Sequence, residues 1–270
     1  MNLRSRPETA VEDENPYWIS YSDLMSAMLF LFLLAIVVLI FSVNEKSAEA
    51  DKAKESAQAA AVERDQTRQE LENQIQTIAQ GEAIRSDMVA GIAHSLVDLG
   101  IAAEASEDGA VLSIPSTVLG FDKASYEIND QYRDYALELG REIAQALKDK
   151  QRAAVIDTIT IEGHTDNKPH QGLEGTGNWG LSTFRAISLW QLWDEELQGD
   201  SRLTEFKNAD NDYLLSVAGY AETRPIQVPQ TTDAQRAKNR RIDIRFQLRP
   251  PKSDDIRATL DSIVGNSEVD

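Results

Sequence analysis

Gly163-His-Thr-Asp166-Asn-Lys-Pro-His170-Gln-Gly-Leu-Glu-Gly-Thr-Gly-Asn178-Trp-Gly-Leu181-Ser-Thr-Phe-Arg185-Ala186 is the segment on which the fold turns. Before it, Val155 to Glu162 alternates Ile159 and Ile161 with Thr158 and Thr160, the period-two pattern of a half-buried strand. After it, Leu181 to Leu197 carries its apolar residues at helical spacing, with Ser182 able to cap the helix. The quoted run is therefore a polar, glycine-rich connection from strand to helix, with an acid near one end and a base near the other.

Working outward, Val111-Leu-Ser-Ile114 before Pro115 reads as a strand, and Asp130 to Lys148 as a helix with Asn129 or Asp130 as its cap. Tyr213 to Ala218 and Ile242 to Leu248 read as strands, the latter alternating Ile242, Ile244, Phe246 and Leu248. A short helix fits around Asp233 to Lys238, and Pro250-Pro251 ends the pattern. The order β-α-β-α-β-β over residues 104–249 predicts an α/β domain with a mixed sheet and helices on one of its sides. Residues 250–270 form an acidic C-terminal tail with no evident core role.

The other end of the chain is apolar. Trp18 to Val43 is 26 residues long, enough to cross a ~30 Å hydrocarbon core with some tilt. Ala48-Glu49-Ala50 resembles a signal-peptide cleavage site, but signal h-regions run ~7–15 residues and carry no acid, so an uncleaved single-pass helix over 17–43 is expected. Within Trp18-Ile-Ser-Tyr21-Ser22-Asp23-Leu-Met-Ser26-Ala-Met28 stands one carboxylate, and from Leu24 to Val43 no further ionisable group occurs. A charge in a spanning helix costs at least ~2.5–3.5 kcal/mol, so by default it marks function. Ser22, Asp23 and Ser26 share one helical face, and Ser22-x-x-x-Ser26 lets a partner helix approach closely. Asp23 can thus carry an ion between protonated and ionised forms, or simply hold helices together. The helix by itself leaves both open.

Residues 1–16 lack periodicity and read as a short tail. From Asn44 to about Leu99 the chain is rich in Ala, Glu, Gln, Lys and Arg, with only Gly81 and Gly91 as interruptions, and predicts a linker helix over 44–103. Alanine fills the face a coiled-coil seam would need, so the first half is expected to be a solvated spacer.

Composition narrows the function classes. The 270 residues carry a net charge of −18, which argues against nucleic acid as a partner. There is no cysteine, hence no disulfide and no thiolate metal site. Gly175-Thr-Gly-Asn-Trp-Gly180 matches G-x-G-x-x-G but follows a polar loop instead of a strand, so no dinucleotide is expected. His164, His170 and Asp166 form no helical ligand face and are read as loop residues, without metal. No nucleophile triad or paired-carboxylate arrangement is legible, so neither an enzyme nor a cofactor is expected.

Three blocks together carry a resemblance: Gly163-His-Thr-Asp166, Asn178-x-x-Leu181-Ser-x-x-Arg185-Ala186, and Asn239-Arg240-Arg241. In this order, each beside its strand or helix, they resemble the OmpA-like peptidoglycan-binding domain over about residues 105–249. The resemblance implies a pocket for the diaminopimelate side chain of peptidoglycan stems. Asp166 would pair with the ligand ammonium, Arg185 would clamp its carboxylate, and Asn178, Leu181 and Arg240 would complete the site. Such a division suits a zwitterion, since guanidinium holds carboxylate bidentately. A strand-end Asp is also an ordinary turn residue, and Arg185 could simply salt-bridge it. The spacing from Asp166 to Arg185 resembles the longer loop of flagellar stator proteins.

The membrane segment W-x-x-Y-x-D-x-M-S-A-M is similar to the MotB-type stator helix, which implies that Asp23 carries the ion, with Tyr21, Ser22 and Ser26 lining a channel or packing helices. It also implies an inner-membrane protein with cytoplasmic N-terminus and periplasmic C-terminal domain, although Lys46, Lys52 and Lys54 after the helix outnumber Arg4 and Arg6 before it. Homodimerisation and a multi-pass MotA- or ZorA-like membrane partner follow from the same likeness. The acidic flank of Glu8, Glu12, Asp13 and Glu14, with Pro-Tyr-Trp-Ile-Ser-Tyr-Ser-Asp after it, is most similar to the ZorB-type stator subunits of Zorya anti-phage defence. A flagellar stator and a non-conducting wall anchor are the alternatives.

Overall fold

The computed structural model describes residues 16–122, 125–171 and 175–250; the tails expected at 1–16 and 250–270 fall almost wholly outside them. The chain divides into two units, Met1–Arg68 and Gln69–Asp270. Helix α1, Pro16–Asp98, is assigned across 83 residues.

Among the described residues of the first unit, α1 meets no hydrophobic core. Leu24, Phe30, Leu33, Leu34, Val37, Val38 and Phe41 are all exposed, and the most apolar 18-residue window has a mean hydropathy of 3.1. This stretch is long and apolar enough to cross a membrane. An outer surface of this kind matches lipid, because water would favour burying it.

The second unit begins with the same helix doing a different job. Met88, Val89, Ile92, Ala93 and Leu96 are buried in the hydrophobic core, at the one-face spacing of a packed helix. The core thus starts well before Glu104, where the sequence pattern placed the domain. The helix is closed by Gly100, whose φ of +80° is the left-handed conformation a Schellman cap requires. The Gly100 N–H donates to the Val97 carbonyl (2.9 Å) and the Ile101 N–H to that of Leu96 (2.8 Å), while the buried Ile101 and Leu96 supply the accompanying apolar contact.

Five strands follow: β1 (Glu104–Ala105), β2 (Val111–Pro115), β3 (Ile156–His164), β4 (Leu215–Gly219) and β5 (Arg241–Leu248). Helices α2 (Arg133–Leu147) and α3 (Lys150–Val155) precede β3, α4 (Gly177–Glu196) joins β3 to β4, and α5 (Asp233–Asn239) leads into β5. The sheet order is β1-β2-β5-β3-β4, with β3 and β4 parallel and every other pair antiparallel. The mixed sheet expected from the element order is present. Asn129 accepts from the Gln131 N–H ahead of α2, and α5 opens with a capping box between Thr232 and Gln235.

Alternation along the strands sorts the two faces. Leu112, Ile114, Ile159, Ile161, Ile242, Ile244 and Phe246 are fully buried in the core with Leu139, Ile143, Leu189 and Trp193 of α2 and α4. The indole N–H of Trp193 donates to the Ala136 carbonyl at 2.8 Å, so this large ring leaves no polar atom stranded.

Two glycines set where α4 lies. Gly163 and Gly219 are paired in register across β3 and β4. A Cβ on Gly163 would meet the Ser182 carbonyl oxygen at 1.9 Å, and one on Gly219 would meet Thr183 Oγ1 at 2.1 Å. The first turns of α4 therefore rest on bare backbone. Because α4 begins at Gly177, Ser182 is interior to the helix and is not its cap; its buried hydroxyl accepts from the Ala221 N–H (3.0 Å) and donates to the Trp179 carbonyl (3.0 Å). Gly163→Ala should lift α4 off the sheet and destabilise the domain by at least ~1–3 kcal/mol, read as a lower urea midpoint at unchanged slope. A midpoint equal to that of the parent chain would show that this contact is loose.

Candidate ligand cavity at the strand ends

By lying on Gly163, α4 brings its first three turns over the residues that leave β3. Asn178, Leu181 and Arg185 come from α4, Thr165, Asp166, Lys168, Pro169 and His170 from the loop after β3, and Arg240 from the residue ahead of β5. They line one cavity of about 160 Å³. All five residues singled out for the wall site, namely Asp166, Asn178, Leu181, Arg185 and Arg240, stand in it. The β3–β5 register pairs His164 with Arg241, which sets Asp166 and Arg240 side by side at the strand ends.

Asp166 pairs with Arg240, not with Arg185. Arg240 Nη1 lies 2.6 Å from Asp166 Oδ2, and the Lys168 N–H donates to Asp166 Oδ1 at 2.9 Å. Arg185 is held from behind: Nε donates to the Ser125 carbonyl (2.8 Å) and Nη2 to that of Asp122 (3.1 Å), while the guanidinium sits 5.3 Å from the centre of the Phe121 ring. Its Nη1 is buried without a hydrogen-bond partner, and the residue is 1% exposed. Burial above all, then repulsion from Arg240, pull the Arg185 guanidinium from its ordinary value down to about 10, with Asp166 opposing. It stays cationic at neutral pH.

Asn178 spans the opposite wall. Its side-chain N–H₂ donates to the Lys168 carbonyl (3.1 Å) and to Glu222 Oε2 (3.0 Å), leaving Oδ1 buried and unpartnered. Thr165 Oγ1 is buried and unpartnered as well. The cavity therefore offers a cationic donor, a hydroxyl, an amide oxygen and a carboxylate together. A buried unpaired donor is costly, so such an arrangement favours a small polar guest that completes it. A guest with both carboxylate and ammonium groups matches the set.

Behind the cavity lies a cluster the sequence pattern did not reveal. Glu162 and Asp243 are buried on the sheet face opposite the core. Arg245 bonds both oxygens of Glu162 (2.6 and 3.0 Å), and Arg241 Nε bonds both oxygens of Asp243 (3.0 and 2.9 Å). His164, read as a loop residue, instead ends β3 at 1% exposure, with Nε2 3.1 Å from Asp243 and its ring stacked 5.6 Å from Tyr220. Glu162, His164 and Asp243 bring possible metal ligands within 4.8 Å of one another, but both carboxylates are engaged by arginine, so these residues fit a metal poorly. The three-residue block Asn239-Arg240-Arg241 divides its work: buried Asn239 accepts from the Ile226 and Gln227 N–H groups (2.9 Å each), Arg240 faces the cavity, and Arg241 neutralises Asp243.

On α1, Tyr21, Ser22, Asp23 and Ser26 are all exposed in the first unit. Thr165, Lys168, Pro169 and His170 also line the cavity but were not expected in the site, His170 having been read only as a loop residue. Thr165 lies inside the first quoted block and was open to inference, whereas the carbonyls of Asp122 and Ser125 that hold Arg185 left no signal in composition or spacing.

Parts of this chain are similar to known proteins. Residues 120–240, which follow the long apolar helix, match the OmpA family. Among curated relatives, Motility protein B of Bacillus subtilis (strain 168) is 26% identical over 166 residues, covering 60% of this chain and 54% of that protein. Zorya protein ZorB of Escherichia coli O139:H28 is 46% identical over 41 residues, 15% of this chain and 17% of that protein. The chain thus spans about half, 54%, of the first relative's length and less of the second. Among solved structures, the cell wall anchor of the T6SS from Pseudomonas aeruginosa is 23% identical, with a TM-score of 0.42, over 60% of this chain and 97% of that one. The periplasmic domain of Helicobacter pylori MotB is 23% identical, with a TM-score of 0.43, over 62% and 92%.

The cluster predicts a pH dependence of stability. Burial pushes the Asp243 carboxyl up, but the His164 contact, Arg241 and the Ser113 hydroxyl outweigh it and hold the group below its ordinary 3.8. A carboxyl depressed in the folded state contributes stability that is present above 3.8 and lost as pH falls through the folded-state value. Asp243→Asn should therefore flatten the drop in unfolding free energy between neutral and strongly acidic pH, measured by urea titration at both. An unchanged acid slope would remove Asp243 from the cause.

Proposed function

We propose that this chain is the wall-anchored stator subunit of an ion-driven inner-membrane complex, with a single-pass helix, a cytoplasmic N-terminus and a periplasmic OmpA-family domain. The observation that carries the wall-binding half is the buried, unpartnered Nη1 of Arg185 beside Asp166 in one small cavity. At about 160 Å³ the space is below the ~300–1,000 Å³ of sites that engulf a whole small molecule, so it suits the end of a side chain. The diaminopimelate head group of a peptidoglycan stem offers a carboxylate for Arg185 and an ammonium for Asp166, with Asn178, Leu181 and Arg240 around it. In this reading the ammonium shares Asp166 with Arg240, and the domain binds without catalysing a reaction. Arg185→Ala should lower co-sedimentation with purified sacculi by about tenfold or more, the loss of one charge-assisted contact. Undiminished binding would take Arg185 out of the site.

Asp23 is the ion carrier in this proposal, with Tyr21, Ser22 and Ser26 along the path or the helix contact. A charge on a lipid-facing surface requires protein or water around it, so the helix works as a homodimer beside a multi-pass MotA- or ZorA-like subunit. One elementary charge crossing 100 mV releases ~2.3 kcal/mol, enough to bias a conformational step. Asp23→Asn keeps the shape and removes the ionisation. The reconstituted complex should then lose proton flux, and retained flux would leave the non-conducting anchor as the reading.

The use of the motion is proposed as anti-phage defence, on two supports: the acidic segment of Glu8, Glu12, Asp13 and Glu14, and the 46% identity over 41 residues to Zorya protein ZorB. The longer alignment with Motility protein B favours a flagellar stator as the second reading.

A further inference from the structure

A groove on the second unit, remote in the fold from the polar cavity, has an apolar lining. One wall is a single face of α1, formed by Glu70, Asn73, Gln74, Thr77, Ile78 and Gly81. The other is formed by Ala154 and Val155 at the end of α3 and by Leu248, Arg249 and Pro250 beyond β5, and the groove measures about 730 Å³. The two walls approach closely at Gly81, where a Cβ would lie in ordinary contact, 3.8 Å, with Leu248 Cδ2. Arg249 is fixed by its N–H to the Val155 carbonyl (2.9 Å) and by an ion pair to Asp210, so the chain leaves β5 inside the groove. Ile78 is 43% exposed there, and Leu71 and Ile75 on the same helix are exposed too.

The twenty residues that follow, Pro251–Asp270, read as a complementary segment. Ile256, Leu260, Ile263 and Val264 recur at i, i+4, i+7 and i+8, one apolar face of a helix. Ser253 stands where an N-cap would, Asp254 and Asp255 fall in the first turn, and Gly265-Asn266 follows the last apolar residue, as at a helix stop. Ile256 to Val264 would extend ~12 Å as a helix, and the α1 wall from Glu70 to Gly81 extends ~17 Å, so the segment fits the groove in length. The five residues Pro251–Asp255 can reach ~17 Å extended, ample to start that helix beside Pro250.

We propose that residues 253–264 dock as an amphipathic helix into this groove of their own chain, burying Ile256, Leu260, Ile263 and Val264 against Ile78, Val155 and Leu248. The docked segment braces the 70–81 face of α1 against the end of β5, and it does so whatever the polar cavity binds. The acidic residues Asp254, Asp255 and Asp261 remain on the solvent side.

The chain has no cysteine, so an introduced pair reports without background. In the full-length protein, Ile78→Cys with Leu260→Cys should form a disulfide within one chain under mild oxidation, seen as a monomer of altered mobility on non-reducing gels. Docking raises the local concentration of the second thiol beyond what the shared chain alone provides, so the bond should form about tenfold faster than in a control pair of Tyr213→Cys with Leu260→Cys. In a chain without cysteine changes, Leu260→Asp should raise hydrogen exchange in residues 70–81 and leave that of 136–147 unchanged. No cross-link above the control, or cross-linked dimers in place of monomers, would overturn the proposal, the latter by seating a second copy in the groove.

Discussion

The second unit depends on the contact between bare backbone and the first turns of α4. Gly163 and Gly219, opposite each other in a parallel strand pair, leave no side chain between sheet and helix, and Ser182 and Thr183 occupy that space. Packing in protein interiors is dense enough that one added methyl must displace something. Here the displaced object would be a helix that carries three of the cavity-lining residues. The position of Arg185 and Asn178 relative to Asp166 is therefore a consequence of two absent side chains.

Charge is then distributed so that one group stays open. Glu162 and Asp243 are each matched by an arginine, and Asp166 by Arg240. Leaving one partner of a buried pair unmatched is strongly destabilising, which accounts for such complete pairing behind the cavity. Arg185 departs from it, bonding backbone carbonyls through Nε and Nη2 and leaving Nη1 buried and unpartnered in a residue that lines the cavity. A buried guanidinium without a carboxylate partner, lining a cavity, is where binding is expected.

Much of this was legible in the sequence because the informative signals were local. Period-two and helical spacings located β3, α2, β5 and α5 to within a few residues, and three short blocks put Asp166, Asn178, Leu181, Arg185 and Arg240 together. What escaped depends on contacts distant along the chain. Which of two arginines meets Asp166 follows from the β3–β5 register, and His164 became a buried strand residue through the same pairing. Met88 to Leu96 has apolar residues at helical spacing, yet local pattern does not say whether such a stripe packs on its own domain or on another molecule. Ser182 was a reasonable cap until the helix proved to start at Gly177, because Gly177 and Asn178 have weak helical propensity.

The Schellman cap after α1 has a mechanical meaning. A load applied along α1 toward the domain reaches five core side chains, from Met88 to Leu96, that lie along the direction of pull. They must slide together, as a joint in shear, and cannot be peeled one at a time. Gly100 and Ile101 knot the end of that joint, because slippage by one turn would break two hydrogen bonds and expose Ile101 together. A fastening of this type resists tension along the helix axis through many contacts at once, so its strength does not rest on any single side chain.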